Sequence, residues 1–300
     1  MNKKNKKIAI ISSSPLMMML AIIFIENGDN VIIFDKSKTK GGAWGWFSEH
    51  LKKYNSYIPR YTNIINPYNK KEVKFTKTMN KFLKKKFKVK VKKTKKLFNI
   101  NYKYKDKFIY DFSKFYEESQ KKIKFEKNFI SKIETLANKK VLINRKFIFD
   151  KVFIPSFAGI KEIKIYKKKT FIPECREIVS EHVSILAKKF KLKNFYYSQF
   201  FDNYFDRIKI EKIKRFHNLT ARLDHSIKGI SLSKLKNSYL DKFIDKKDLI
   251  DVKLSKFHNY YRNSDQLKKL KNTVKGSNVN YVDTTQFMCG FYAIRKILNV

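Results

Sequence analysis

The sequence predicts an α/β protein whose centre is a parallel β-sheet, and three observations near the N-terminus predict it. Lys7–Ile11 and Val31–Phe34 are short runs rich in β-branched residues. Between them lies the apolar segment Leu16–Asn27, which Gly28 ends. A strand, a tight turn, a helix and a second strand of these lengths form a βαβ unit, in which the two strands pair in parallel.

The turn before this helix carries groups that suit an anion. It is Ser12-Ser13-Ser14-Pro15, in which Ser14 and Pro15 form a favoured N-cap and first helical pair. Backbone N–H groups at a helix N-terminus bind phosphate, because they lack partners and lie at the positive end of the helix dipole. Asp35 ends the second strand 23 residues after Ser12. A dinucleotide-binding βαβ unit places a ribose-binding carboxylate at about this spacing.

Lys7–Trp46 resembles the N-terminus of the two-domain flavoprotein oxidoreductases, the group of amine oxidases, protoporphyrinogen oxidase and UDP-galactopyranose mutase. In that family a GxGxxG turn follows the first strand, an acid ends the second, and a Gly-Gly pair follows. Asp35 and Gly41-Gly42 match this pattern. Other residues stand at the three glycine positions of the turn, namely Ser12, Ser14 and Met17. The resemblance implies a Rossmann-like FAD- or NAD(P)-binding domain with a parallel sheet and a β-meander.

The resemblance also implies which residues hold FAD. The serine turn would hold the pyrophosphate and Asp35 the adenosine ribose, while Ile130 would lie nearest the adenine. The glycine–tryptophan loop would lie against the flavin ring, and the segment from Asp283 would meet the ribityl–phosphate part and the ring. The candidate residues are Ser12, Ser13, Ser14, Pro15, Asp35, Lys36, Gly41, Gly42, Ala43, Trp44, Ile130, Asp283, Thr284 and Thr285. Trp44 and Trp46 suit a plug in a core between two domains equally well.

The rest of the chain is typical of short strands and a few helices. Phe115–Lys122 predicts a helix, and Ile130–Leu136 with Val141–Asn144 predicts a β-meander around a polar turn. Phe147–Pro155 predicts a buried strand. A last strand and helix are predicted over Val279–Val282 and Phe287–Leu298.

The family pattern divides the chain into two domains. The nucleotide-binding domain would comprise residues 1–50, 120–160 and 276–300, and a smaller α+β substrate or cap domain would comprise residues 51–119 and 161–275. Within the second domain, Ile178–Phe190 predicts a helix, and Phe87–Val91 predicts a strand with one solvated face.

Three arginines of the second domain are candidates for binding an anionic substrate, such as a sugar nucleotide. They are Arg207, Arg222 and Arg262. Arginine suits this role because its planar fork forms two parallel hydrogen bonds with a carboxylate or phosphate. The segment around Arg222, FHNLTARLDH, also suits an ordinary helix with salt-bridged charges, and that interpretation is favoured. No residue type or spacing identifies a catalytic base.

The composition points to a folded, strongly basic protein. The formal net charge is +43, and only eight of the 69 basic residues are arginine. This lysine excess accompanies many Asn, Ile, Phe and Tyr residues, which favours a coding bias spread over the surface; non-specific polyanion binding at low salt would follow in either case. Cys175 and Cys289 are far apart, and the histidines form no HxxxH pair, so the sequence predicts a cytoplasmic protein without a metal site.

Several functional hypotheses remain open. The first is an FAD-dependent oxidoreductase with a small-molecule substrate. The second is a degenerate, non-catalytic member of the same fold that acts by binding. The third is a basic protein that binds nucleic acid or an acidic membrane through the lysine-dense segment Lys84–Lys96. A signal peptide or membrane anchor at Ile8–Ile25 is disfavoured because Ser12–Pro15 interrupts the apolar run.

Overall fold

The computed structural model describes most of the chain. It covers residues 5–35, 64–65, 70–94, 107–155, 160–168, 170–174, 176–191, 197–199, 205–213, 215–223, 233, 240–261, 264–284 and 287–298. The α-helices of these residues are α1 (Pro15–Glu26), α2 (Lys70–Phe87), α3 (Ser113–Lys122), α4 (Ser264–Val274) and α5 (Phe287–Leu298). The strands are β1 (Lys7–Ile11), β2 (Asn30–Phe34), β3 (Ile64–Ile65), β4 (Lys90–Thr94), β5 (Lys107–Asp111), β6 (Lys124–Glu126), β7 (Lys132–Thr135), β8 (Val141–Ile143), β9 (Phe147–Phe149), β10 (Lys151–Ile154), β11 (Glu162–Lys164), β12 (Arg176–Ala187), β13 (Tyr197–Gln199), β14 (Phe205–Ile213), β15 (Phe216–Leu223), β16 (Leu249–Tyr261) and β17 (Val279–Tyr281).

A five-stranded parallel sheet organises the fold. Its strand order is β17-β10-β1-β2-β6, and each neighbouring pair runs in parallel. Ile8 of β1 lies between Val31 of β2 and Lys151 of β10. Each strand of the predicted βαβ unit is present, so the expected α/β fold with a parallel sheet is confirmed.

Helices cover one face of the parallel sheet. Ile8 and Ile10 of β1 point to this face and share an apolar cluster with α1, α2, α3 and α5. The residues from Pro15 to Ile22 of α1 are all buried, because the sheet lies on one side of this helix and other helices lie around it. No helix of the described ranges is both long and apolar enough to cross a membrane.

The opposite face of the parallel sheet carries the predicted meander and α4. Ala9 of β1 shares a second apolar cluster with Ile133, Val141 and Ile143 of β7 and β8, and with Leu270 of α4. Strand alternation explains the division, since successive side chains of β1 point to opposite faces. The parallel sheet is thus the middle of three layers.

The predicted strand Phe147–Pro155 is divided into β9 and β10. Asp150 lies between them, and its carboxylate accepts a hydrogen bond of 2.7 Å from the N–H of Lys7. The N–H of Asp150 donates in return to the carbonyl of Lys7 over 2.8 Å. The chain therefore turns from the meander into the parallel sheet at a corner that is bonded to the start of β1.

A separate antiparallel sheet has the strand order β13-β14-β15-β12-β16. The predicted helix over Ile178–Phe190 is wrong, because β12 occupies residues 176–187. Val183, Ile185 and Ala187 alternate along β12 and pack in a third apolar cluster. The helical interpretation of FHNLTARLDH is also wrong, since residues 216–223 form β15.

The lysine-rich segment folds differently from the expectation. The predicted strand over Phe87–Val91 is wrong in its first half, because α2 continues to Phe87 and β4 begins at Lys90. Met79, Leu83 and Phe87 recur at four-residue spacing and are buried, while most lysines of α2 are exposed. The reversal between the helix and the strand occurs at Lys88, which has a positive φ of 53°.

Candidate functional site

The candidate site lies where β1 and β2 end and α1 begins. The N–H of Ser12 donates to the carbonyl of Phe34 over 2.9 Å, so the turn after β1 is fixed to the end of β2. Ser12 has a φ of 112°. Glycine adopts this region readily and serine does not. The turn therefore keeps the backbone conformation that favours glycine, although a serine occupies the position.

Asp35 closes the turn through its carboxylate. The N–H of Ser13 donates to Asp35 Oδ2 over 3.0 Å, and the Ser13 hydroxyl donates to the same oxygen. Ser13 is fully buried, which makes this pair of hydrogen bonds part of the interior. The two donors orient the carboxylate at the carboxyl end of β2.

Tyr116 of α3 adds a second group close to Asp35. Burial raises the pKa of the Tyr116 hydroxyl well above its ordinary range, and the negative charge of Asp35 raises it further. The neutral form of Tyr116 is therefore favoured at physiological pH. A neutral phenol can donate a hydrogen bond without adding a second negative charge to the site.

Ser14 leaves an open position at the N-terminus of α1. It is the N-cap residue, and its side chain makes no capping hydrogen bond. Its Oγ is buried and has no hydrogen-bond partner. The N–H groups of Leu16 and Met17 lie in the first turn, where an α-helix provides no acceptor. A polar hydroxyl and helix-terminal N–H groups thus meet at one place, and this donor set fits a phosphate oxygen.

The segment after β17 is brought to the same place by close packing. Gly290 of α5 faces the first turn of α1: a Cβ on Gly290 would lie 2.5 Å from Leu16 Cδ1 and 3.0 Å from the carbonyl oxygen of Asp283. It would also lie 3.3 Å from the Cα of Thr284. Asp283 and Thr284 therefore lie beside the start of α1.

Ile130 lies in a segment that a single asparagine holds in place. Asn144 Oδ1 accepts hydrogen bonds from the N–H of Ser131 at 2.9 Å and of Lys132 at 3.1 Å. Asn144 Nδ2 donates to the carbonyl of Phe129 over 2.7 Å. The Ile130 side chain is buried. Its neighbours are thus fixed, and its backbone N–H and carbonyl have the donor–acceptor chemistry that suits the edge of an adenine.

Other predicted residues are separated from this site or lie outside the described residues. Arg222 is on β15 of the antiparallel sheet, and Arg207 is its register partner on β14. The candidates outside the described residues are Lys36, Gly41, Gly42, Ala43, Trp44, Thr285 and Arg262. Among the described residues, no group of three or more His, Cys, Asp or Glu is arranged to hold a metal ion.

Sequence reasoning missed three residues of the site, namely Tyr116, Asn144 and Gly290. Each acts through a contact with a distant segment, so no local motif surrounds it. Gly290 had one available signal, since a glycine inside a predicted amphipathic helix often marks close packing.

A three-layer fold with a parallel sheet, a meander and a phosphate-type turn defines the class of dinucleotide-binding α/β proteins. Comparison with solved structures finds proteins that share this fold. Putrescine oxidase matches with a TM-score of 0.64 and 7% identity, over 99% of this chain and 99% of that chain. An FAD-dependent oxidoreductase from Pseudomonas aeruginosa matches with a TM-score of 0.57 and 9% identity, over 98% of this chain and 90% of that one.

A fatty acid isomerase from P. acnes, described as producing CLA, matches with a TM-score of 0.55 and 9% identity, over 100% of this chain and 99% of that chain. No protein-family model matches the chain, and no curated protein sequence matches it. The chain shares its fold with FAD-dependent oxidoreductases. The resemblance stated from the sequence is confirmed at the level of the fold.

Proposed function

We propose that the protein is an FAD-dependent oxidoreductase. The observation that carries this proposal is the buried, unpartnered hydroxyl of Ser14 at the N-terminus of α1, beside a turn that Ser12 holds in a glycine-like conformation. A buried polar atom without a partner costs free energy, so such an atom at a phosphate-type turn favours a bound acceptor. The pyrophosphate of FAD is an acceptor of the right chemistry.

The chain's residues have distinct roles in this proposal. Ser14 and the N–H groups of the first turn bind the pyrophosphate, and Asp35 binds the adenosine ribose. The backbone of Ile130 binds the adenine edge, and Asp283 with Thr284 binds the ribityl–phosphate part. Lys36, the segment Gly41–Trp44 and Thr285 remain candidates for the same cofactor. When bound, the flavin supplies the redox chemistry, while the protein binds and orients the substrate and excludes water.

The antiparallel sheet is the proposed substrate domain. It has its own apolar cluster, built from β12, β14, β15 and β16 together with Leu240 and Phe243. A separate core is what an independently packed domain requires. We therefore place the substrate domain at residues 176–261, inside the predicted range 161–275, because α4 packs with the parallel sheet.

Flavin retention tests the proposal. The purified protein is incubated with excess FAD, the unbound fraction is removed, and the absorbance spectrum is recorded. Retained flavin bands in a folded protein are expected. A folded protein that retains no flavin would contradict the proposal.

A substitution of Asp35 tests the proposed contact with the adenosine ribose. Asp35→Asn should weaken FAD binding about tenfold, since a hydrogen bond to a charged group contributes roughly 1.5–3 kcal/mol. Binding of FMN, which lacks the adenosine, should stay unchanged. Asp29→Asn is the matched control, because Asp29 precedes β2 at its opposite end and accepts a hydrogen bond from the N–H of Lys6. Equal losses of FAD and FMN in Asp35→Asn would remove Asp35 from the proposed role.

A further inference from the structure

The antiparallel sheet has one apolar face and one polar face. Val183, Ile185, Leu219 and Ile208 belong to its apolar cluster. Because side chains alternate along a strand, the intervening residues point to the opposite side. We call the opposite side the polar face; its described side chains include the fully buried Leu186 and the polar residues His182, Ser184, Lys209, Asn218, Thr220, Arg222, Asp251 and Lys253.

The strand register places the basic residues of the polar face in two adjacent rows. One row across four strands reads Lys209, Thr220, Ser184 and Lys253. In the adjacent row, Arg222 is the register partner of His182 on β12. Directly opposite residues on one face have Cβ atoms about 4.5–5.5 Å apart. Arg222 and Lys253 therefore lie on the two strands that flank β12, on the same face of the sheet, with His182 and Ser184 of β12 between them.

A hydrogen-bonded chain fixes the polar residues between the cations. Ser184 Oγ donates to Asn218 Oδ1 over 3.0 Å, and Asn218 Nδ2 donates to Thr220 Oγ1 over 2.9 Å. Thr220 accepts in this chain, so its own hydroxyl proton can be donated to an anion. Asn218 is fully buried, which makes the arrangement rigid.

Charge and exposure are unevenly distributed on the polar face. Lys209 is fully buried and His182 is nearly so, whereas Arg222 and Lys253 are half-buried. Asp251 is the only acid among the described side chains of this face. It lies on the same strand as Lys253, in the row next to that of Ser184 and Lys253. Arg222 and Lys253 therefore combine positive charge, partial desolvation and access from solvent. Charge-assisted hydrogen bonds are strongest under these conditions.

We propose that the polar face binds an oxyanion of the substrate, a carboxylate or a phosphate, between Arg222 and Lys253. Arg222 offers a planar fork of N–H donors and Lys253 a point charge. The same field repels a diamine, because like charges disfavour binding. This inference rests on the proposed function only in assigning the bound anion to a redox substrate; the anion site itself requires no flavin.

Matched four-carbon probes test the inference. Succinate and putrescine have similar lengths and opposite charges, and inorganic phosphate distinguishes a phosphate site from a carboxylate site. Binding to the full chain is measured by calorimetry in 150 mM NaCl, with and without FAD. We expect succinate or phosphate to bind and putrescine not to bind. Putrescine binding as tightly as the anions, or no binding of either anion at millimolar concentration, would overturn the inference.

Charge-removing variants separate this site from the general basicity of the protein. Arg222→Gln and Lys253→Gln should each weaken anion binding about tenfold, the effect of one charge-assisted hydrogen bond. Lys268→Gln is the control, since it removes the same charge from an exposed position on α4. An equal loss in Lys268→Gln would overturn the site. Anion binding that persists in a protein unable to retain flavin would contradict the proposed function and leave this inference standing.

Discussion

Ser12 combines a strained backbone with a hydrogen-bonding side chain. Its φ of 112° lies outside the regions that residues with a Cβ usually occupy. Its hydroxyl offsets part of this cost by accepting a hydrogen bond of 3.2 Å from the N–H of Ser14. Strain of this kind is typical of functional turns, where the surrounding structure imposes the conformation. The serine therefore preserves the turn at a cost in stability.

Substitution of Ser12 measures that cost. Ser12→Gly and Ser12→Ala both remove the hydroxyl, but only alanine keeps the Cβ. Strain of roughly 1–3 kcal/mol exceeds the extra chain entropy of glycine, about 0.5–1 kcal/mol. We expect Ser12→Gly to unfold with a free energy about 1 kcal/mol higher than that of Ser12→Ala, as measured by urea denaturation. Equal stability of the two variants would show that the turn is not strained.

At the scale of elements, α5 holds the end of β17 against α1. Gly290 permits this contact, because a Cβ would meet two backbone atoms of Asp283 and Thr284. Backbone atoms cannot move aside as the end of a flexible side chain can. The position of one helix therefore sets the geometry of the segment proposed to hold the ribityl–phosphate part.

Gly290→Ala tests this contact. Helix propensity alone would stabilise α5 by about 1 kcal/mol. Overpacking costs about 1–3 kcal/mol, so we expect a net loss in thermal stability and weaker FAD retention. Lys296→Ala, at an exposed position of the same helix, should leave both properties unchanged. A more stable Gly290→Ala with full flavin retention would contradict the proposed packing.

The parallel sheet could be predicted because its information is local. β1, α1, β2 and α5 each carry a continuous apolar pattern, and their observed bounds differ by few residues from the predicted ones. β12 was misinterpreted because Ile178, Val179, Val183 and Leu186 also fit the helical spacing. The pairing of β12 with β15 and β16 decides the outcome, and it depends on distant residues. Likewise, Asp35 is visible in the sequence, whereas its bond to Ser13 is not.

At the scale of the whole molecule, the lysine excess has no assigned function. Lysines of α2 and β4 are exposed on neighbouring elements, and some pair with acids, as Lys86 of α2 does with Glu26. An exposed pair of this kind contributes little to stability. Cytoplasmic location and non-specific polyanion binding remain predictions. The net charge of +43 nevertheless affects every measurement of stability, since self-repulsion opposes the compact state.

The pH dependence of stability at alkaline pH distinguishes the effect of the buried tyrosines from the effect of the net charge. Burial raises the pKa values of Tyr110 and Tyr116 in the folded state. An unfolded tyrosine ionises near pH 10. Above that pH the unfolded state therefore holds fewer protons on these groups than the folded state does. Their contribution to stability is complete below about pH 10 and is lost as the pH rises further.

Lysine deprotonation acts in the opposite direction over the same range, because it relieves repulsion in the folded state. The lysines are the same in each variant and in the unsubstituted protein, so the difference between their unfolding free energies removes the lysine contribution. We expect Tyr116→Phe to lose less unfolding free energy than the unsubstituted protein between pH 9 and about pH 11, as measured by urea denaturation. Tyr292→Phe is the control, since Tyr292 is 64% exposed. If both variants follow the unsubstituted protein at high pH, Tyr116 is not buried in the apolar cluster beside Asp35 as the structure describes it.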